Sequence, residues 1–327
     1  MKLTPILVAL IALIALPAWA GNVGFQQLTI ADGSDKPLTI GVWYPTEAAA
    51  TPQPLQAVTQ VVAPGAPASG RGLPLVVISH GTGGWYGEHY DTALALAHAG
   101  FVVAALSHTS DTYDDQSRAA RIWGRPEMLR RLVDYMLADW PEHGRIDATR
   151  VGVFGFSAGG FTALAAIGGA PDLGLVRTHC LTHPSAFECG VVSRSGAADP
   201  TSALPSRSFF TGDARIRAAV IVAPALGFTF GREGLKNVRV PVQLWRDEAD
   251  HILPNPDYAQ AVRDALPRPP EYHVVANADH FDFLAPCSDQ LRKYAPDICV
   301  ERPGFDRDAF HQQFDAEVVR FFERTLG

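Results

Sequence analysis

The sequence predicts an α/β protein with a mostly parallel central sheet and helices on both faces. Short, wholly apolar runs such as residues 75–78 and 101–106 have the composition of strands that are covered on both sides. These runs alternate with segments of helical spacing, such as residues 89–99, which stop at Gly100. Strands that alternate with helices are typical of parallel sheets with helical crossovers.

The predicted elements follow one another along the chain. Residues 25–31 and 38–44 are expected to form an antiparallel strand pair around a turn at residues 32–34. A stretch rich in Pro, Ala, Gly and Gln, residues 46–74, is predicted to be a surface loop. The other predicted strands are residues 75–78, 101–106, 150–154, 216–222, 240–245 and 272–276, and the predicted helices are residues 89–99, 126–140, 158–167, 257–266 and 307–325.

Residues 1–20 have the pattern of a signal peptide. Lys2 precedes an apolar run at residues 3–16, and the segment ends in a small-x-small pattern at Ala20. Cleavage after Ala20 is expected, which would leave residues 21–327 as a single exported domain, periplasmic or secreted. The alternative is a membrane anchor, but the run is short for a span of about 20 residues, and no basic stop-transfer cluster follows.

Composition limits the classes of function. The chain has 327 residues, a formal net charge of −7 and 19% charged residues. This length can bury one large core, and the moderate charge argues against intrinsic disorder. A nucleic-acid binder would carry a basic surface, so the acidic balance argues against that class. An acidic run at residues 111–115 is expected to face solvent rather than to bind a cation.

The four cysteines agree with export to an oxidising compartment. The two local pairings, Cys180 with Cys189 and Cys287 with Cys299, close short loops and are the expected disulfides. Each would stabilise the fold by about 2–3 kcal/mol. The alternative is metal ligation together with His179 and His183, but these spacings do not match a closed zinc site.

Residues 170–213 interrupt the alternation of strands and helices. They contain several prolines and little periodicity, and they fall between the helix at 158–167 and the strand at 216–222. The segment is therefore predicted to be an insertion that packs over one end of the sheet. It could act as a lid over the active site or be a purely structural excursion.

A candidate nucleophile lies between a predicted strand and a predicted helix. Residues 155–159 read Gly-Phe-Ser-Ala-Gly, with Ser157 at the centre. In the G-x-S-x-G turn, the serine sits on a strained strand-to-helix corner and its hydroxyl is exposed at the sheet edge. The glycines are needed because side chains there would collide with neighbouring elements. The motif in this context predicts a catalytic serine and the α/β-hydrolase fold.

A serine hydroxyl needs an adjacent base, and the base is usually oriented by an acid. His280 follows the last predicted strand and is the expected base, since that position brings it to the carboxyl edge of the sheet. Asp250 is the expected acid because it lies four residues before a proline in the preceding loop; Asp247 is the runner-up and Glu248 the third candidate. The weaker histidine candidates are His251, His273 and His311.

The glycine-rich segment after residues 75–78 is the expected oxyanion loop. The Thr82 amide is assigned as one donor, with Gly81 or Gly83 as alternatives, and the amide of Ala158 as the other. Each donor could contribute about 3–4 kcal/mol to transition-state stabilisation.

Several motifs resemble those of a known group: residues 76–84, 97–108, 42–45, 125–126, 146–147 and 280–284. In these motifs the chain resembles platelet-activating-factor acetylhydrolases and bacterial predicted dienelactone hydrolases, over most of residues 21–327. The resemblance implies the α/β-hydrolase fold and hydrolase activity, but it does not carry phospholipid specificity.

The sequence departs from those relatives in two places. Dienelactone hydrolases use a cysteine nucleophile where this chain has Ser157, which argues against dienelactone chemistry. In the acetylhydrolases the acid follows the strand after the nucleophile helix, but residues 221–225 contain no carboxylate here. The acid must then come from the later loop, which favours Asp250.

Together these features predict an exported serine hydrolase that cleaves carboxylic esters through an acyl-enzyme, with no metal or organic cofactor. The substrate could be a small-molecule, lipid or polymeric ester. Trp85 and Tyr86 could line its cleft, and the alternative is that they are ordinary surface or core aromatics. An amidase or peptidase with the same triad is the first alternative. A catalytically inactive exported binding protein is the second, and a missing triad member would be its signature.

Overall fold

The computed structural model describes residues 21–33, 35–195 and 204–327. The expected signal peptide, residues 1–20, lies outside the described residues. The strands are β1 Asn22–Asp32, β2 Asp35–Thr46, β3 Thr51–Leu55, β4 Val58–Pro64, β5 Leu73–Ser79, β6 Val102–Leu106, β7 Ile146–Phe156, β8 Ile216–Val222, β9 Val242–Asp247 and β10 Glu271–Val275. The helices are α1 Tyr90–His98, α2 Arg125–Ala138, α3 Ala158–Ala166, α4 Leu175–Thr182, α5 Phe187–Arg194, α6 Gly231–Leu235, α7 Ala259–Ala265, α8 Asp289–Tyr294 and α9 Arg307–Leu326.

The ten strands form one mixed sheet in the order β10-β9-β8-β7-β5-β6-β2-β1-β4-β3. Strands β5 to β10 run parallel to their neighbours within this set. Strand β2 is antiparallel to both β6 and β1. The predicted parallel sheet with antiparallel strands at its start is confirmed, and all parallel strands point their carboxyl ends toward one edge.

Helices cover both faces of the sheet, and side chains of β5 alternate between two hydrophobic cores. Leu75 and Val77 pack with residues of α2, α3 and α7, whereas Val76 and Ile78 pack with residues of α1 and α9. This period of two explains why the strand is wholly apolar, because each face of a central strand is buried beneath a helix layer.

The prediction of a surface loop at residues 46–74 was wrong. The segment contains β3 and β4, which pair with each other, and β4 continues the sheet beside β1. Pro52 and Pro54 lie in β3, the outermost strand, where a missing amide interrupts no further ladder. The inward position of β4 is Gln60, which accepts a hydrogen bond from Trp43 at 2.8 Å. The prolines of β3 and the buried glutamine of β4 depart from the usual strand pattern, so this strand pair could not be recognised in the sequence.

The insertion at residues 170–213 contains α4 and α5, although its middle, residues 196–203, lies outside the described residues. A disulfide between Cys180 and Cys189 joins the two helices. A second disulfide joins Cys287 to Cys299 near α8. Both expected pairings are present. No helix within the described ranges has the length and apolar character needed to cross a membrane.

A half-buried acid at the contact of α1 with α9 makes stability depend on pH. Asp315 accepts a hydrogen bond from Thr92 at 2.6 Å, and next to it His311 lies 2.7 Å from Asp91. Burial, followed by the negative charge of Asp91, raises the pKa of Asp315 to about 8. The folded protein therefore binds a proton that the unfolded chain releases near about pH 4. The contribution of Asp315 to the free energy of unfolding is therefore fully present below about pH 4, and it is lost as the pH rises toward 8.

The variant Asp315→Asn should remove most of this loss because asparagine cannot ionise. Between about pH 5 and about pH 9, we expect the melting temperature of the parent protein to fall several degrees further than that of the variant, at roughly 2–4 °C per kcal/mol. The pair of His311 with Asp91 remains in both proteins, and the raised pKa of His311 acts in the same direction. The matched control is Asp308→Asn, an exposed position of α9; equal pH slopes for all three proteins would contradict the prediction.

Candidate active site

Ser157 occupies the sharp turn between β7 and α3. Its backbone has φ 54° and ψ −115°, in the region that non-glycine residues rarely adopt. The turn is possible because Gly155 and Gly159 flank it. A Cβ on Gly155 would meet the carbonyl oxygen of Gly159 at 2.1 Å, and a Cβ on Gly159 would meet the carbonyl oxygen of Ser79 at 1.8 Å. The glycines thus allow the close approach that the motif predicts, and they present the Ser157 side chain at the carboxyl edge of the sheet.

The structure brings Ser157, His280 and Asp250 into one hydrogen-bonded chain. The Oγ atom of Ser157 lies 3.1 Å from Nε2 of His280, and Nδ1 of His280 lies 2.8 Å from Oδ2 of Asp250. All three residues are buried. The other carboxylate oxygen, Oδ1, accepts from the amides of Ile252 and Leu253 at 2.9 and 2.6 Å. Two amides of its own loop therefore fix the orientation of the Asp250 carboxylate toward the imidazole.

The other acid candidates do not contact His280 in this way. Asp247 is buried at the end of β9, and within the described residues neither of its carboxylate oxygens has a hydrogen-bond partner. Burial, together with the charge of Asp250, raises the pKa of Asp247 well above its usual range. Glu248 is exposed and accepts from the amide of Asn277. The raised pKa favours the protonated form of Asp247, and its side chain makes no hydrogen bond to His280 within the described residues.

The weaker histidine candidates have other partners. His251 is mostly exposed and lies 2.6 Å from Asp279. His273 stacks on Trp245, with ring centroids 3.9 Å apart. His311 belongs to the contact between α1 and α9 described above.

The loop after β5 leaves one amide available among the three candidates. The amide of Gly81 donates to Glu88 Oε1 at 3.0 Å, and the amide of Gly83 donates to Asp111 Oδ1 at 2.9 Å. In the described part of the chain, the amide of Thr82 has no such partner. Ala158 is the first residue of α3, so its amide has no acceptor within the helix. Within the described residues, neither of the two amides assigned as oxyanion donors has a hydrogen-bond partner.

Arg125 binds backbone carbonyl oxygens of the same loop. Its guanidinium is buried and donates to the carbonyl oxygens of His80 and Gly81 at 2.6 and 3.0 Å. It also forms a two-pronged contact with Asp111 Oδ2, at 2.9 and 2.6 Å. A planar guanidinium suits such simultaneous contacts. One buried ion pair thus fixes the residues on both sides of Thr82.

Sequence reasoning missed this framework. The acidic run at residues 111–115 was expected to face solvent, and for Asp111 that expectation was wrong because the side chain is buried against Arg125. Arg125 carried a signal only as part of a motif shared with the resembling group. Glu88 carried none, since its partner is a backbone amide that folding brings close.

Trp85 and Tyr86 do not line the cavity near Ser157, which corrects the expectation that they form the substrate cleft. Tyr86 is buried, and its hydroxyl donates to Gln27 at 2.7 Å. Trp85 packs edge-on against it, and both border a separate hollow that also includes Phe25 and Tyr113. Their position follows from the direction of the chain as it leaves the loop toward α1.

An apolar cavity adjoins the hydrogen-bonded chain. Its wall includes Thr82, Ala225 and Leu253. The amide of Ala225 donates to the carbonyl oxygen of Ser157 at 2.9 Å, and the amide of Leu253 donates to Asp250. Much of the opposite wall consists of apolar side chains from α4 and α5 of the insertion. Among the described residues that line the cavity, Glu188 is the one carboxylate.

Groups that could hold a metal ion are few in the described ranges. Three clusters have ligand atoms within 4.8 Å of one another: His179, His183 and Asp257; Asp91, His311 and Asp315; and Asp247, Asp250 and His280. All four cysteines are in disulfides, so thiolate ligation with His179 and His183 does not occur in this state. The third cluster is the set around Ser157 already described.

Comparison with solved structures agrees with this architecture. The chain is similar to a ferulic acid esterase from Streptomyces cinnamoneus, with a TM-score of 0.62 and 20% sequence identity over 96% of this chain and 92% of the esterase. The chain therefore has the α/β-hydrolase fold. At this identity the likeness concerns the fold. No family model matches the sequence, and no curated protein sequence matches it.

Proposed function

We propose that this protein is an exported serine hydrolase that cleaves carboxylic esters. The observation that carries the proposal is the hydrogen-bonded chain from Ser157 through His280 to Asp250, beside two amides, of Thr82 and Ala158, that have no partner in the described part of the chain. A structural neighbour described as an esterase supports the reaction class. Two disulfides and the apolar leader at residues 1–20 support export. Helices α4 and α5 of the insertion line the adjoining cavity, which supports a role for these two helices in covering the substrate.

In the proposed mechanism, His280 removes the proton of Ser157 as its oxygen attacks the ester carbonyl. Asp250 keeps Nδ1 of the imidazole protonated and stabilises the imidazolium that forms, without taking the proton itself. The amides of Thr82 and Ala158 stabilise the oxyanion of the tetrahedral intermediate. His280 then protonates the leaving alcohol, and water, activated by the same imidazole, cleaves the acyl-enzyme. The chemistry uses only these residues and water.

The direct test is a fluorophosphonate label followed by peptide mapping, run beside chromogenic esters of increasing acyl length and their matched amides. The proposal expects a single labelled site at Ser157 and faster cleavage of esters than of amides. Faster amide cleavage would favour the amidase or peptidase alternative. Failure to label Ser157, with no hydrolysis of any substrate, would favour the inactive binding protein.

The framework around Thr82 gives a prediction about rate. Arg125→Lys keeps a charge beside Asp111, but an ammonium cannot contact Asp111 and two carbonyl oxygens with the same geometry. We expect kcat to fall roughly 10²-fold, the loss typical of one oxyanion donor, with little change in KM. The control is Arg130→Lys, a half-exposed arginine of the same helix. Unchanged kcat in a folded Arg125→Lys protein would contradict the prediction.

A further inference from the structure

The cavity beside Ser157 has a polar group where an apolar one would be expected. Glu188 lies on α5 and contributes its side chain to an otherwise apolar wall. The side chain is 11% exposed, so its carboxylate is largely removed from water. A buried carboxylate is costly unless donors satisfy its oxygens, so its presence here needs an explanation.

The hydrogen bonds that Glu188 makes within the described residues do not use its full capacity. The hydroxyl of Tyr258 donates to it, 2.9 Å from Oε1 and 3.1 Å from Oε2. His179 approaches Oε1 to 3.2 Å, but its Nε2 does not form a hydrogen bond within the described structure. A carboxylate offers about four acceptor positions. One shared hydroxyl therefore leaves acceptor positions free at the cavity wall.

The position of the cavity indicates which part of an ester it would hold. Thr82, the proposed oxyanion donor, lines the cavity together with Ala225, whose amide donates to the carbonyl oxygen of Ser157, whereas the side chains of Ser157 and His280 are not among the described lining residues. The cavity therefore begins beside the nucleophile. The acyl group stays bonded to Ser157 through both halves of the proposed reaction, whereas the alcohol departs after the first, so the cavity is assigned to the acyl group.

Resting on the proposed function, we infer that the enzyme prefers esters whose acyl group is apolar along its length and carries a hydroxyl near its far end. The apolar wall from α4 and α5 buries the body of the acyl group, and Glu188 accepts a hydrogen bond from its hydroxyl. A hydrogen bond to a charged acceptor contributes about 1.5–3 kcal/mol, which corresponds to roughly a 10- to 100-fold preference in kcat/KM.

The test compares pairs of methyl esters that differ only in the hydroxyl: phenylpropanoate with its para-hydroxy form, and straight-chain acyl esters with their terminal-hydroxy forms. The parent enzyme should cleave at least one hydroxylated member roughly tenfold faster than its partner. In Glu188→Leu this preference should disappear, so that the two members of each pair are cleaved at the same rate. Activity on the plain ester shows that the variant is folded.

Tyr258→Phe is the matched control because it removes the tether of Glu188 but leaves the carboxylate in place. It should retain the preference, whereas a purely structural Glu188 would make both variants equally defective on all esters. Equal cleavage of every pair by the parent enzyme would overturn the inference and leave the proposed function standing. No hydrolysis together with no label on Ser157 would overturn both.

Discussion

Replacing Ser157 with alanine should lower kcat for ester hydrolysis roughly 10⁵–10⁶-fold, the loss seen when the nucleophile of such a triad is removed. Within the proposed triad, the Oγ atom of Ser157 lies at hydrogen-bonding distance from Nε2 of His280, 3.1 Å, and is the atom that would form the acyl-enzyme. Without it, neither acylation nor covalent labelling can proceed at this position. The remaining groups, including the amides of Thr82 and Ala158, should still accelerate attack by water roughly 10³–10⁴-fold over the uncatalysed reaction.

The fold should tolerate this substitution. Alanine is smaller than serine and keeps the flanking Gly155 and Gly159 that make the turn possible. We therefore expect the melting temperature to change by only a few degrees, which separates loss of chemistry from loss of structure. The control is Ser208→Ala at an exposed position outside the site, which should retain full activity. If Ser157→Ala kept more than about a tenth of the kcat of the parent protein, Ser157 could not be the nucleophile, because loss of the nucleophile lowers kcat far more than that.

The second large effect separates two neighbouring acids. Asp250→Asn should reduce kcat roughly 10³–10⁴-fold, because an amide facing Nδ1 no longer favours the required tautomer or stabilises the imidazolium. Asp247→Asn should change kcat by no more than about threefold, since burial raises the pKa of that carboxyl and favours its uncharged form, which asparagine resembles in charge and shape. The two substitutions are chemically identical and only three residues apart, so each serves as the control for the other.

The measurement is kcat and KM for one chromogenic ester, with thermal unfolding of both variants. Asp250→Asn keeps an oxygen that can accept from the amides of Ile252 and Leu253, so its loop should remain folded. A reversed ranking, with Asp247→Asn the more defective, would assign the acid to Asp247. Equal small effects would show that His280 needs no carboxylate partner.

The parts of the fold that could be predicted depend on local pattern. Strand β8 has the predicted bounds, Ile216–Val222, because a wholly apolar run between polar turns has few other structures available. The position of Ser157 could also be predicted from local pattern, since the strand, turn and helix around it are adjacent in sequence. His280 lies 123 residues away, yet it was predictable because parallel strands bring their carboxyl ends to one edge.

Features that depend on packing between distant loops could not be predicted. The ion pair of Arg125 with Asp111 forms only when the start of α2 packs against the loop after β5, and no sequence periodicity predicts that contact. The pair of β3 with β4 was concealed by prolines that an edge strand tolerates. The two cavities on either side of the loop could not be distinguished either, so Trp85 and Tyr86 were assigned to the wrong one.

The carboxyl end of β8 bears none of the residues proposed for chemistry. The chain there reads Val222-Ala223-Pro224-Ala225, and Ala225 meets the backbone of Ser157 while it lines the apolar cavity. Because the proposed acid, Asp250, follows β9 and the end of β8 supports the Ser157 turn through its backbone, substitutions on α5 should alter the cavity without disturbing the proposed proton transfer. Under the proposed function, catalytic power and substrate range are therefore separable traits, and natural or laboratory selection could change the second while the first is inherited intact.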